Sequence, residues 1–159
     1  MRKLLIVLTG IAVLTVSCGD DDDSDAQGSA APTASGAASG GAPVALEGEV
    51  NDEGTEEISG DEVEMELDDY YFGPTFLRST PGASVHLELE NEGDDAHTFT
   101  SDALGIDQEV APGESVGVDV TLPSEGAVPF YCRFHQSRGM QGAFFFNEGD
   151  AVVTGTSGG

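Results

Sequence analysis

The sequence predicts an all-β domain, built as a sandwich or barrel of antiparallel strands. Hydrophobic side chains alternate with polar ones over several short stretches, which gives each stretch one buried and one solvent-exposed face. Turn-forming residues separate these stretches, and no window shows a helical period with caps at its ends. Several short strands at this spacing are typical of a sandwich or a barrel.

The strands follow one another along the chain. Hydrophobic residues recur at every second position within 62–68 and again within 85–90, where acidic residues and His86 occupy the other positions. Strands are also predicted at 116–120, 128–132 and 143–146. The turn signals between them are Gly73-Pro74, Pro81-Gly82, Asn91-Glu92-Gly93, Pro112-Gly113 and Glu148-Gly149-Asp150.

The chain begins with a predicted export signal at residues 1–17. Arg2 and Lys3 give a positive start, and the apolar run that follows is long enough for a signal peptide but short for a membrane span. Thr15-Val16-Ser17-Cys18 resembles the lipobox of bacterial lipoproteins, whose Cys carries the lipid. Thr15 stands where that motif has Leu, and a signal cleaved without lipidation is the alternative. We expect a lipid anchor on Cys18, with the protein facing the periplasm or the cell exterior.

Three segments are expected after the signal. Residues 18–43 are acidic and then rich in Ala, Ser, Gly and Pro, a composition that cannot bury a core and behaves as a flexible tether. Residues 44–155 are predicted to form the folded domain, with its core at 62–153. Residues 156–159 are predicted to be a flexible tail.

The charge of the chain excludes several classes of partner. Thirty Asp and Glu residues stand against five Lys and Arg, for a formal net charge of −25. Nucleic acid is therefore excluded as a partner, because Lys and Arg are what hold its phosphates. Binding to anionic lipid through a basic patch is excluded for the same reason. Two interpretations of the acidity stay open, namely a solvated, salt-adapted surface and electrostatic steering of a basic partner.

A short segment near the C-terminus combines three metal-binding side chains. Cys132, His135 and Met140 lie within nine residues, so that one loop between two strands can bring them to one point. Copper that cycles between two oxidation states favours two imidazoles and a thiolate in one plane, with a weak axial thioether. The alternation within the predicted strand at 85–90 places His86 on the solvent-exposed face, which leaves His97 as the second imidazole. Each residue alone has a structural explanation, but the joint spacing predicts a copper site.

The domain resembles the cupredoxins of the plastocyanin-like kind. The resemblance covers residues 62–153 and rests on the strand pattern and on the four ligands, His97, Cys132, His135 and Met140. It implies a Greek-key β-sandwich with one copper ion near one end, and an electron carrier rather than an enzyme. It also implies that His135 is the partly exposed ligand through which electrons leave.

Two residues depart from the pattern of that family. Phe134 stands where Pro often precedes the second His, and Thr98 stands where Asn often follows the first. Neither change removes a ligand, but residues at these positions orient ligands and tune the potential. By analogy with the azurin-like branch of the family, we expect the sulfur of Cys132 to accept backbone N–H bonds from both Phe134 and Thr98.

The predicted function is therefore one-electron transfer by a type 1 copper protein, as a monomer. Its partners would be redox proteins, such as cytochromes or a terminal reductase or oxidase, with the membrane reached through the lipid anchor. A catalytic copper would need further His ligands, and a binuclear site would need a second Cys in the loop. The alternatives are a protein that delivers or buffers copper and a metal-free adhesive sandwich, which would leave the ligand spacing unexplained.

Overall fold

The computed structural model describes residues 42–153, and these form two packed β-sheets. The predicted signal peptide with Cys18, nearly all of the predicted tether and the predicted tail lie outside the described residues. The ten strands within 42–153 are β1 (Thr55–Glu57), β2 (Glu62–Asp68), β3 (Tyr71–Gly73), β4 (Phe76–Arg78), β5 (Ser84–Asn91), β6 (His97–Ser101), β7 (Ile106–Val110), β8 (Ser115–Thr121), β9 (Val128–Tyr131) and β10 (Gln141–Phe145). No helix among these residues is long and apolar enough to cross a bilayer.

The strands are distributed over the two sheets in a Greek-key arrangement. One sheet has the order β1-β4-β10-β9-β6-β7, and the other has the order β3-β2-β5-β8. The all-β sandwich predicted from the sequence is confirmed. The expectation of purely antiparallel pairing is wrong, because β1–β4, β4–β10 and β2–β5 are parallel pairs. Parallel neighbours need a connection that leaves the strand pair, and the chain between β2 and β5 crosses to the other sheet as β4.

The predicted alternation of buried and exposed residues is confirmed in β2 and β5. Val63, Met65 and Leu67 of β2 are buried, and so are Leu87 and Leu89 of β5, while their acidic neighbours face solvent or lie half-buried. In β8 only the last of the three predicted valines is fully buried, and the other two pack against the edge of the core. The inner faces of the two sheets therefore form one hydrophobic core.

Four phenylalanines form the centre of this core. The ring of Phe130 in β9 lies 5.1 Å from the rings of Phe72 and Phe99 and 5.4 Å from that of Phe144. All four side chains are fully buried. Burying one such side chain contributes about 1.5–3 kcal/mol, so this group stabilises the end of β9, where the ligand loop begins.

A second, smaller cluster lies on the outer face of the six-stranded sheet. Val44 is buried there against Phe76 and Phe145. The side chain of Gln141 donates hydrogen bonds to the carbonyl groups of Glu47 and Glu49, at 2.8 and 2.7 Å. Residues that precede Glu62 therefore pack against the sheet in which the ligand loop is inserted.

Candidate metal centre

The four predicted ligands are contributed by two neighbouring parts of the six-stranded sheet. His97 is the first residue of β6, and Cys132 directly follows β9. His135 precedes a single 3₁₀ turn, Gln136–Arg138, and Met140 precedes β10. Strands β9 and β10 are antiparallel neighbours, so the chain leaves the sheet at the end of β9 and re-enters it beside that end, at the start of β10. The spacing of the ligands in the sequence thus becomes one short loop beside the start of β6.

Backbone hydrogen bonds connect the ligands of this loop to one another. The N–H of Cys132 donates to the carbonyl of Met140 at 3.0 Å, and the N–H of His135 donates to the carbonyl of Cys132 at 3.1 Å. The N–H of Met140 completes the set by donating to His135 at 3.3 Å. Each ligand is therefore positioned by the backbone of another, independently of any metal.

The loop is also attached to the segment that precedes β1. The side-chain amide of Asn51 donates to the carbonyl groups of Tyr70 and Arg138, both at 2.8 Å, and its backbone N–H donates to Gly139 at 3.0 Å. Gly139 has a φ of 92°, and a side chain there would meet the amide of Asn51 at 2.8–3.0 Å. Glycine is required at this position both for the backbone conformation and for the close approach.

The donor atoms of His97, Cys132 and His135 form a compact triangle. The two Nδ1 atoms are 3.1 Å apart, and the sulfur lies 3.8 Å from Nδ1 of His97 and 3.6 Å from Nδ1 of His135. A point equidistant from the three atoms lies about 2.0 Å from each, which is close to the bond lengths of imidazole and thiolate ligands to a transition metal. Two imidazoles and one thiolate are the planar donor set of blue-copper sites, so these residues fit a copper ion.

The site is buried on one side and open at one edge. His97 and Cys132 are fully buried, whereas His135 is only half-buried. Burial lowers the pKa of His97, the neighbouring His135 lowers it further, and three nearby aspartates oppose both effects. The lowered pKa favours the neutral ring, which is the form of histidine that binds a metal.

Met140 lies at the same site, although its role as a ligand stays a prediction. Its side chain is fully buried in the hydrophobic cluster that also contains Cys132. Its carbonyl accepts the N–H of Cys132, as described above, so that its backbone is fixed beside the thiol. This position suits a weak axial thioether.

Of the two predicted hydrogen bonds to the sulfur, the structure forms one. The N–H of Thr98 lies 3.4 Å from the sulfur of Cys132. Among residues 42–153, no such bond comes from Phe134, whereas the N–H groups of the next two residues, His135 and Gln136, both donate to the carbonyl of Cys132. Phe134 is 48% exposed, and the guanidinium group of Arg133 lies 5.0 Å from the centre of its ring. Phe134 therefore forms part of the surface next to the site.

His86 lies away from the centre, as the alternation predicted. Its ring packs across β5 and β8, with Nδ1 2.7 Å from a carboxylate oxygen of Asp119. Among the residues that the structure describes, the one cluster of His, Cys, Asp or Glu donors with metal-binding geometry is His97, Cys132 and His135.

Sequence reasoning missed Tyr70, which contacts the exposed ligand. Its ring meets that of His135 edge-on, with centres 4.9 Å apart, and the guanidinium group of Arg138 lies 4.6 Å from the centre of the Tyr70 ring. Tyr70 has a φ of 76° in the two-residue turn between β2 and β3. This conformation is unusual for a bulky side chain, and no signal in the sequence marks it.

Comparison with known proteins identifies the family. Residues 44–144 match the family described as the cupredoxin-like domain. No curated protein matches the chain. Auracyanin B aligns with 58% of this chain and 88% of its own, at 19% identity and a TM-score of 0.46. Reduced auracyanin from Roseiflexus castenholzii aligns with 60% of this chain and 99% of its own, at 14% identity and a TM-score of 0.48.

A chain from a heme-copper terminal oxidase dimer is also similar. It aligns with 55% of this chain at 19% identity and a TM-score of 0.48, and the aligned region spans 66% of its own length, just under two thirds. The family assignment rests on the sequence match, which covers more than half of the protein, and on a donor set suited to copper. The chain therefore belongs to the cupredoxin-like domain family, and its cofactor is copper.

Proposed function

We propose that this protein is a type 1 blue-copper carrier that accepts and releases one electron at a time. The observation that supports this most directly is the donor triangle of His97, Cys132 and His135, with one imidazole reaching the surface. Bound copper would supply the redox chemistry by cycling between Cu(I) and Cu(II). The residues of the chain supply the geometry, the exclusion of water and the path to a partner.

The rigidity of the ligand loop suits this role. The backbone bonds between Cys132, His135 and Met140, together with the attachment to Asn51, hold the donors in place. A site whose donors are fixed before the charge of the metal changes needs little rearrangement for each electron. Fast exchange with a partner depends on that small rearrangement.

The half-buried edge of His135 is the proposed exit for the electron. Tyr70 packs against its ring, and the exposed ring of Phe134 lies 6.3 Å from it. His97 and Cys132 are enclosed by the core. A redox protein that docks over His135 would therefore approach the metal centre through one imidazole, and we propose cytochromes or a terminal reductase or oxidase as partners of this kind.

Replacing the thiolate tests the site. Cys132→Ala should abolish an intense blue absorption and the reversible one-electron couple of the copper-loaded protein, because the thiolate supplies the copper–sulfur bond. Circular dichroism should still show a β-domain, since the core phenylalanines are unchanged. An intense visible band that persists in this variant would refute the assignment.

Copper delivery or buffering is the alternative function, and the same protein distinguishes it from electron transfer. An electron carrier should cycle reversibly in voltammetry and retain its copper through many cycles. A delivery protein should release Cu(I) to a competing acceptor within the same time. Loss of the metal on reduction would favour delivery.

We further propose that the protein is exported and anchored to the membrane through a lipid on Cys18. The support is the signal-like segment and the resemblance to a lipobox. Two acyl chains supply the attachment that stable membrane residence requires. Cys18→Ser should release the protein into the soluble extracytoplasmic fraction or leave its precursor unprocessed. A wild-type protein that mass spectrometry finds without lipid would exclude the anchor and leave the copper site unaffected.

A further inference from the structure

One ring nitrogen of His97 has no partner in the structure. Nδ1 faces the donor triangle, whereas Nε2 on the opposite side of the ring is buried and forms no hydrogen bond with any residue of 42–153. An imidazole that binds a metal through one nitrogen carries a proton on the other, and that proton is normally held by a carboxylate, a carbonyl or a water. An unmatched buried donor destabilises the fold, because it loses its hydrogen bond to water and gains none from the protein. This Nε2–H therefore requires an acceptor.

The space next to this nitrogen is kept open by a glycine and lined by two acids. A methyl group added to Gly93 would lie 3.0 Å from Nε2 of His97 and 3.3 Å from one carboxylate oxygen each of Asp68 and Asp69. The φ of Gly93 lies outside the left-handed region, so its backbone conformation does not itself require glycine. A side chain at this position would therefore crowd three polar atoms, all of which face Gly93.

The two acids belong to the turn that also carries Tyr70. Asp68 ends β2, and its oxygens already accept hydrogen bonds from the N–H of Asp69, at 2.6 Å, and from the hydroxyl of Tyr71, at 3.1 Å. The turn therefore lies against both imidazoles, with its tyrosine on His135 and its carboxylates near His97.

We propose that Asp68, Asp69 and Gly93 form an acceptor site for the Nε2–H of His97, completed by one water molecule held next to Gly93. Neither carboxylate makes a direct hydrogen bond to Nε2, and a bridging water would have three polar partners, of which Asp69 is exposed and Asp68 half-buried. A ring held by a negatively charged acceptor is a stronger donor to the metal. The site would then favour Cu(II) and lower the reduction potential. The inference rests on the proposed function in that it takes Nδ1 of His97 as metal-bound.

The first test observes the proton itself in zinc-loaded protein labelled with ¹⁵N-histidine. The Nε2–H resonance of His97 should lie downfield in the wild type and move upfield in Gly93→Ala and in Asp69→Ala. Gly93→Ser is the matched control, because its hydroxyl can replace the water while its Cβ occupies the same space, and it should stay closer to the wild type than Ala does. An unchanged resonance in both Gly93→Ala and Asp69→Ala would overturn the proposal.

The second test measures the reduction potential of the copper-loaded variants. Asp69→Ala should raise it more than Asp94→Ala, which removes the same charge from an exposed residue in the loop of Gly93. Equal shifts would show a general effect of charge and overturn the specific site. The zinc experiment requires no redox activity, so it can succeed or fail independently of electron transfer. A failure of the proposed function would appear instead as a wild-type protein without a reversible couple.

Discussion

At the scale of single residues, the environment of the Cys132 sulfur decides how the site is tuned. The sulfur has a backbone donor in Thr98, at 3.4 Å. A donor of this kind stabilises negative charge on the thiolate, favours Cu(II) and lowers the potential. The second donor expected at Phe134 is not formed among the described residues. The backbone hydrogen bond that tunes the reduction potential therefore comes from β6 and not from the ligand loop.

The first prediction concerns Phe134. Phe134→Pro removes the backbone N–H together with the ring, whereas Phe134→Leu keeps the N–H and an apolar side chain. Because the structure gives this N–H no bond to the sulfur, the two variants should have the same reduction potential by voltammetry. A potential clearly higher in the Pro variant than in the Leu variant would show that the N–H of Phe134 does donate to the sulfur of Cys132.

Thr98 holds the ligand loop through its side chain as well. Its hydroxyl accepts the backbone N–H of Arg133 at 2.8 Å and lies 3.0 Å from the hydroxyl of Thr100. Thr100 donates in turn to Asp107 at 3.0 Å, and the guanidinium group of Arg133 forms an ion pair with the same carboxylate. This closed network connects the residue after Cys132 to β6 and β7.

The second prediction separates the buried and exposed parts of this network. Thr98 is fully buried, so Thr98→Val should lower the free energy of unfolding by about 1–3 kcal/mol, because the N–H of Arg133 loses its acceptor. Asp107→Asn should cost less than about 1 kcal/mol, since its pair with Arg133 is roughly half exposed and screened by water. Denaturant titration of both variants measures the difference. A larger loss in Asp107→Asn would place the main contribution in the ion pair.

At the scale of elements, the β5–β8 pair offers a test of pH dependence. His86 and Asp119 are directly opposite each other in the ladder, and their hydrogen bond raises the pKa of His86 against a smaller opposing effect of burial. A raised pKa in the folded state means that the bond stabilises the fold below the pKa of the unfolded chain, about 6.5. That stabilisation is lost as the pH rises through the folded-state value.

The third prediction follows from that sign. In copper-loaded protein, His86→Gln should be less stable than the wild type near pH 6 and equally stable at an alkaline pH above the raised pKa of His86. Thermal unfolding at the two pH values measures it. A variant that loses equal stability at both would show that the ring contributes by packing alone.

The elements also show what the sequence could reveal. Strands β2 and β5 were predictable because each buries one face, which leaves a period of two in the sequence. Strands β1, β3 and β4 have three residues each, too few to show a period. Their pairing, including the parallel pairs β1–β4 and β4–β10, is fixed by contacts with distant parts of the chain.

The residues of the candidate site likewise fall into those that the sequence predicts and those that it does not. The spacing of Cys132, His135 and Met140 reflects one loop and is visible in the sequence, and His97 followed from excluding His86. Tyr70 and Gly93 were not visible, because one depends on an unusual φ and the other on the room beside a buried nitrogen. Contacts of this kind are properties of packing, and no local pattern encodes them.

At the scale of the whole molecule, the charge is distributed unevenly around the proposed exit. The chain carries thirty acids, yet two of the three arginines in the described part flank His135, namely Arg133 and Arg138. Arg133 is paired with Asp107 and Glu109, whereas Arg138 covers the ring of Tyr70. The third, Arg78 at the end of β4, is paired with Glu57 and Glu148. The overall field therefore attracts cations, while Arg138, which forms no ion pair among residues 42–153, places one positive charge beside His135.

The last prediction uses small redox ions to separate these two effects. The net charge of −25 should attract a cationic ruthenium hexaammine complex and repel anionic ferricyanide. Salt should slow the first reaction and speed the second, since charges farther apart than about 8 Å are largely screened at physiological ionic strength. If electrons leave through His135, Arg138→Gln should slow ferricyanide more than Arg78→Gln does, because both remove one charge but only Arg138 lies beside the exit. Stopped-flow absorbance gives each rate. Equal effects of the two variants would mean that the overall charge alone governs the exchange and that the exit does not lie at His135.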